Sequence, residues 1–259
     1  NKLPQFDLLH FAHTLAPNAP DIYTKEGKLN WENDGWDNPF AELYKEYRSS
    51  TNNLINNLVV SYSPAPFLEY KTNIGYAIMT LTESAISPAA SFRPFHEINS
   101  GFSVFNKGSL YSFIAEPQLI YRRAFSSGTF ETLLGSAFER SMRRTNALLG
   151  TGYDNDAALR DKQAAADLNL LHFEKIDYRY AGVFARLHYN ARGRYLAHLT
   201  GRRDGSSRFA PGKQFGNFGA IGAAWIFSET KAVRELAPLL SFGKIRVSYG
   251  NSGNDQIGD

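Results

Sequence analysis

From Leu54 onward, apolar and polar positions alternate with a period of two, the mark of strands whose faces meet different environments. Leu54–Tyr62 opens the series, and Pro64-Ala65-Pro66 stops it. In Leu68–Leu81, the residues Leu68, Tyr70, Thr72, Ile74, Tyr76 and Ile78 fall on one face and Glu69, Lys71 and Asn73 on the other. A polar stretch with Pro88 and Pro94 leads to a strand over 110–125, and Ser126-Ser127-Gly128 turns it into another over 130–143. Tyr178–Asn190 alternates most cleanly: Val183, Ala185, Leu187 and Tyr189 interleave with Phe184, Arg186, His188 and Asn190. A turn at Ala191–Arg194 gives Tyr195–Gly201, where Tyr195, Ala197 and Leu199 oppose His198, Thr200 and Arg202. The dipeptide Asp204-Gly205 reads as a turn tip before a strand over 216–227. A strand over 242–250 closes the series, with Ile245, Val247 and Tyr249 alternating with Lys244, Arg246 and Ser248.

Elsewhere the period changes. Leu3, Phe6, Leu9, His10 and His13 have helical spacing. Residues 17–39 read as an ordered loop packed by Trp31, Trp36 and Phe40, and Asn38-Pro39 starts a short helix through Tyr47. Within the polar insertion 144–175, Ala157–Leu171 has helical composition, and Ser228–Pro238 reads as a short helix.

Connection lengths carry more information than any one strand. They run short at Pro64, long over 82–108, short at Ser126, long over 144–175, short at Ala191, longer over 203–215, and middling after Phe227. Outer-membrane barrels have short periplasmic turns and long extracellular loops, whereas a soluble sandwich has no reason to segregate loop length by sheet end. The expected fold class is therefore all-β: an antiparallel meander, part of a large transmembrane β-barrel with long extracellular loops. Residues 1–53 are expected to form an extracellular loop region with short helices, and 54–259 the barrel strands and loops.

Composition is compatible with this. Aromatic residues make up 14% of the 259 residues, and 21 glycines supply turns. Mean hydropathy is −0.36, and no run of 18 apolar residues exists, which excludes a transmembrane helix but not a barrel. A net charge of +3, evenly spread, gives no footprint for nucleic acid. Cysteine is absent, as in many bacterial envelope proteins, though this fixes no compartment. The chain opens at Asn1 and stops at Asp259 after a Gly-rich turn, so a longer polypeptide is expected on both sides.

In a wide barrel the apolar face meets lipid and the polar face lines the interior. Arg186, His188, His198, Arg202, Lys244 and Arg246 are thus the candidate lumen-lining residues; a solvated sheet surface is the competing reading. Trp31, Trp36 and Tyr44 could stack on sugar rings at the extracellular mouth, although packing within the loop explains them more simply. The pair His10 and His13 has no third ligand, and Asp154-Asn155-Asp156 lacks the Gly and Glu of a calcium loop, so no metal is expected. Ser206 and Ser207 lack a nucleophile frame. Glu116 and Glu139 read as members of an ion-pair network before paired catalytic acids. Neither a cofactor nor an enzymatic activity is expected. The alternatives are a soluble all-β carbohydrate-binding module and, further off, a hydrolase.

One local signal is stronger than the rest. Gly201-Arg202-Arg203-Asp204-Gly205-Ser206-Ser207-Arg208-Phe209 continues as Pro211-Gly212 and Phe215-Gly216-Asn217-Phe218, then Gly222-Ala223-Ala224-Trp225, and ends in 240–259, which contains Gly250-Asn251-Ser252-Gly253-Asn254-Asp255-Gln256. The span from Tyr178 to Asp259 resembles the SusC/RagA family of TonB-linked outer-membrane transporters of Bacteroidetes; earlier parts match more loosely. The resemblance implies a barrel of about 22 strands closed around a plug, powered by TonB and capped by a SusD-like surface lipoprotein. It implies oligosaccharides, or peptides in some members, as substrate. The plug and the TonB contact would lie outside these residues.

Overall fold

The computed structural model describes residues 11, 13–32, 35–94, 100–236 and 239–255. Most of the helix expected over Leu3–His13, including His10, lies outside them. Eight strands form one antiparallel sheet in strict chain order: β1 (Glu46–Ala65), β2 (Leu68–Ser87), β3 (Phe102–Phe125), β4 (Gly128–Thr151), β5 (Asp167–Ala191), β6 (Tyr195–Ser206), β7 (Phe215–Trp225) and β8 (Ile245–Asn251). The meander is the expected one, with β1 and β8 at the sheet edges. Several strands are longer than the alternation indicates: β1 opens before Leu54, and β4 and β5 extend well into the stretch 144–175. Ala157–Leu171 is not helical. Two 3-10 turns, Asp156–Arg160 and Lys162–Ala164, each capped by an Asn155 or Asp161 side chain, occupy its first part, and β5 takes the remainder. Pro39–Tyr44 is likewise a 3-10 turn, with Asn38 Oδ1 accepting from the Phe40 amide. The expected helix after Phe227 is present as Lys231–Leu236.

The tight connections at one end of the strands are 66–67, 126–127 and 192–194. The last of these contains a turn of the primed type. Arg192 and Gly193 both have positive φ, at 51° and 70°, and the Arg194 amide donates to the Ala191 carbonyl at 3.0 Å. That left-handed geometry matches the twist of the flanking strands. The opposite ends are joined by 88–101, 152–166 and 207–214. The connection 226–244 breaks the rule, being long at the tight-turn end.

Register fixes which side chains share a face, because residues opposite one another point the same way. Leu187 pairs with Leu199, Leu199 with Ile221 and Ile221 with Tyr249; Tyr189 pairs with Ala197, Ala197 with Ala223 and Ala223 with Val247. The result is a continuous apolar face whose members are well exposed, Val247 at 69% and Ile221 at 60%. At its tight-turn edge, Tyr195 stacks on Trp225 at 6.5 Å, Trp225 meets Phe227 edge-on at 6.0 Å, and Tyr121 meets Phe130 at 6.4 Å. Such aromatic girdles mark the interface of a bilayer.

The chain divides into two compact units. One comprises Asn1–Asn53, Met79–Ser109 and Arg143–Lys175, and the other Leu54–Ile78, Leu110–Met142 and Ile176–Asp259. The first has a small core of Ile86, Tyr153 and Leu159, and Leu159 is fully buried. Ser103 Oγ donates to the Leu159 carbonyl at 2.6 Å. A Cβ at Gly101 would stand 2.9 Å from Leu159 Cδ1, so the glycine makes room for this side chain. Leu159→Ala is expected to destabilise this unit by roughly 2–5 kcal/mol. In the full-length protein, limited proteolysis should then cut faster within 152–166, while the heat-modifiable migration of the folded sheet stays unchanged.

Candidate functional site

The other face of the sheet is polar, and its charges are paired across strands. Glu69, Arg122, Glu131 and Arg186 form a ladder from β2 to β5. Arg122 reaches Glu69 at 3.2 Å and Glu131 at 2.9 Å, and Arg186 reaches Glu131 at 3.0 Å. Farther along, Asn73 Nδ2 donates to Glu116 Oε2 at 3.1 Å.

Beyond this ladder, β5, β6 and the segment after β8 build a cleft of ≈ 640 Å³. Tyr178 and Tyr180 share the face of Arg186 because all three are even-numbered on one strand. The Tyr180 hydroxyl donates to Asp204 Oδ1 at 2.7 Å, and Arg202 Nε donates to the same carboxylate at 2.6 Å. Arg202 also donates to the Tyr180 hydroxyl and lies 5.6 Å from the centre of the Phe184 ring. Next to this triad, the Tyr178 hydroxyl donates to Asp255 Oδ2 at 2.7 Å, and the Arg208 guanidinium covers the Tyr178 ring at 4.5 Å. The hydrogen bond from Tyr178 holds the Asp255 carboxyl below the ordinary aspartate value, outweighing the opposing effect of burial. Glu116 and Glu139 line the same cleft.

The expected turn at Asp204-Gly205 is corrected here. Both residues lie in β6, with Asp204 opposite Gly182 and Gly216, and Gly205 opposite Ala181 and Phe215. The reason is local: a Cβ at Gly182 would stand 2.5 Å from Asp204 Oδ1, so its absence admits the carboxylate, which Tyr180 and Arg202 then hold on the sheet. The chain turns later, over 207–214.

The other expected residues fall as follows. Arg186, His188, His198 and Arg202 share the polar face, His188 directly opposite His198 and Arg202 opposite Phe184. His198 lies over Gly222, whose missing side chain accommodates the imidazole. Arg246 pairs with Ala224 on the same face, while Lys244 precedes β8. Trp31 lines a separate cleft of ≈ 460 Å³ with Phe92, Lys45 and Arg93. Trp36 is half-buried and Tyr44 exposed. Asp255, Tyr178, Tyr180 and Arg208 were not singled out from the sequence. Two signals point to them: Arg208 and Asp255 lie in the motif spans, and the tyrosines share the parity of Arg186.

No family model matches the chain. Among curated proteins it is 28% identical, over its whole length, to the TonB-dependent receptor SusC of Bacteroides thetaiotaomicron. It is 26% identical, over 86% of its length, to the TonB-dependent receptor P39 of Formosa agariphila. It spans 24% and 21% of the length of those two proteins. Among solved structures, the RagAB peptide transporter matches 85% of the chain with a TM-score of 0.73 at 17% identity, the chain covering 24% of the matched chain. Sheet order, alternation and girdle define a segment of a large transmembrane β-barrel of the bacterial outer membrane. More specifically, the chain is similar in sequence to a segment of TonB-dependent receptors such as SusC, and similar in fold to part of the RagAB transporter.

The attachment of Asp255 to Tyr178 has a definite pH dependence. Because the folded pKa is lowered, the tie is fully present above about pH 4 and is lost as pH falls through the lowered value. Amide hydrogen exchange over 252–255, corrected for intrinsic rates, should stay constant down to about pH 4 and rise below it. Tyr178→Phe should speed that exchange at neutral pH by about tenfold and remove the pH step.

Proposed function

We propose that the protein containing this chain imports nutrients, most simply oligosaccharides, across the outer membrane. In this reading TonB drives a plug held within the barrel, and a SusD-like lipoprotein closes the outer mouth. The observation that carries it is the similarity of the whole of this chain to part of SusC. The RagAB fold match is to a protein described as a peptide transporter, so peptide is the second substrate class. Residues 1–53 and the loops 88–101 and 152–166 are the extracellular part, with Trp31, Trp36 and Tyr44 available to stack on sugar rings. The partial exposure of all three side chains is compatible with that role. Deletion of the gene should abolish growth on one oligosaccharide class and spare growth on its monosaccharide. Unimpaired growth on every oligosaccharide, together with a defect on peptides, would transfer the assignment to peptide import.

The same reading assigns the faces. Arg186, His188, His198, Arg202, Lys244 and Arg246 look into the interior. Val183, Ala185, Leu187, Tyr189, Tyr195, Ala197, Leu199, Ile245 and Val247 meet lipid. Support comes from the exposure of the apolar face and from the cross-strand ion pairing of the polar one. A charge at the bilayer midplane costs ~2–4 kcal/mol on the lipid face, and far less in a hydrated interior. Leu187→Arg is therefore expected to lower the yield of assembled receptor much more than Arg186→Leu. In intact membranes, thiols introduced as Ala185→Cys or Leu187→Cys should react with a lipid-soluble reagent and resist a water-soluble one. Rapid labelling of both by the water-soluble reagent would overturn the assignment.

A further inference from the structure

The apolar face ends differently at its two edges. The tight-turn edge is aromatic; the edge toward the long connections is cationic. Going up β5 past Val183 and Ala181, the next residues on this face are Arg179 and Asp177. On β6, Arg203 stands opposite Val183, in the row following Gly201. Arg140 of β4 joins them, donating through Nε and Nη2 to the two Asp177 oxygens at 3.1 and 3.0 Å, while Arg179 reaches Asp177 at 2.9 Å. One carboxylate thus orients two guanidiniums that remain 52% and 64% exposed. Arg203 has no carboxylate partner among the described residues; its guanidinium sits 5.2 Å above the Phe215 ring. Three arginines against one aspartate leave a net charge of two positive on this rim. A cleft of ≈ 440 Å³ opens there, between Arg179, Ser207, Gln214 and Phe215.

We infer that this rim is a binding site for the phosphorylated headgroup of an outer-leaflet glycolipid. The inference rests on the apolar face meeting lipid. Long connections are extracellular in outer-membrane barrels, so the arginines stand at the level of the outer headgroups. Guanidinium forks match phosphate oxygens, and the planar group packs on an aromatic ring without losing its donors. A soluble anion would have no reason to prefer the outer edge of an apolar belt. A lipid satisfies both parts at once, its phosphate on the arginines and its acyl chains on Leu199, Val183 and Ile221 below. Beneath Arg203 the row Ala185, Gly201 and Gly219 carries almost no side chain, and a Cβ at Gly201 would meet nothing within 4 Å, which leaves room for a chain to lie close to the sheet.

The test uses the full receptor, purified in detergent and delipidated, with retained lipid counted by native mass spectrometry. The probes are a bis-phosphorylated lipid A, the same lipid dephosphorylated, and sodium phosphate as competitor. Wild type should hold the phosphorylated lipid about tenfold more tightly than the dephosphorylated one, and the triple variant Arg140→Ala, Arg179→Ala, Arg203→Ala should lose that preference. Arg203→Gln, which disturbs only a ring contact, covers the case in which the triple variant fails to assemble and should lose severalfold. Lys231→Ala, at the opposite edge, should change nothing. Equal binding of the two lipids by wild type, or unchanged preference in the Arg203→Gln receptor, would overturn the site. Displacement by millimolar phosphate would show a free-phosphate site instead and overturn the lipid assignment. If the preference is absent while the thiol at position 187 still reacts only from lipid, the rim assignment fails and the face assignment stands.

Discussion

Inside a hydrocarbon layer no water is available to a backbone N–H or C=O, so each must find a partner in the protein itself. For strands the only complete solution is a neighbour on both sides, and strict nearest-neighbour pairing from β1 to β8 provides one for every strand except the two at the edges. Everything else in this chain is arranged around that requirement. Pairing fixes register, register sorts side chains onto two faces, and each face then meets its own environment. The row Tyr189, Ala197, Ala223, Val247 is apolar across four strands, and a slip of one residue could place His188, His198 or Arg246 within it.

On the polar face the dominant problem is charge. Strand arginines and acids are costly to leave unpartnered close to a sheet, and the ladder Glu69–Arg122–Glu131–Arg186 shows how they are paired without help from loops. The motif spans serve the same end. Arg202, Asp204 and Tyr180 form a closed triad, and Asp255 ties the segment after β8 to Tyr178 on β5, a strand with which β8 does not pair. Glycines are the counterparts of these large side chains. Gly182 admits the Asp204 carboxylate, Gly135 lies under the Phe184 ring, and Gly222 lies under His198. A side chain lying flat over a glycine covers backbone that would otherwise be exposed and narrows the choice of rotamer.

Where alternation is strong, the sequence was sufficient. Tyr178–Asn190 and its pairing with Tyr195–Gly201 follow from period, because one face is apolar from Ala181 to Tyr189. Period fails where both faces are polar. Glu46–Asn53 reads Glu-Tyr-Arg-Ser-Ser-Thr-Asn-Asn, has no apolar side to reveal, and is nevertheless strand. The first part of β5, Asp167–Lys175, fails differently: Leu168 and Leu170 fall on one face and Leu171 and Phe173 on the other, so neither face stands out as apolar. Asp204-Gly205 failed for a different reason. Local turn propensity is worth little against a carboxylate held by two cross-face donors, and neither donor is visible without the register. The cleft was legible only in part. Arg202 was found by its parity, whereas Asp255 lies beyond the last strand and reaches Tyr178 through a contact that no spacing rule encodes.

The contrast between the two ends of the apolar face follows from the same logic. Tyr195 and Trp225 at the tight-turn end present rings with a polar group at the edge, which suit an interface where hydrocarbon gives way to headgroup, and Phe227 packs against Trp225. At the other end the strands continue beyond the apolar rows, and their first polar residues are charged: Arg203 on β6, then Arg179 and Asp177 on β5, with Arg140 on β4. If water alone followed the apolar belt, either sign of charge would serve, and a balanced mixture would be the cheapest surface. The excess of guanidinium, with its single aspartate placed so as to orient two of the arginines, is what an anionic boundary selects. On the proposed lipid-facing assignment, the two edges of one sheet differ because the two leaflets they would meet differ.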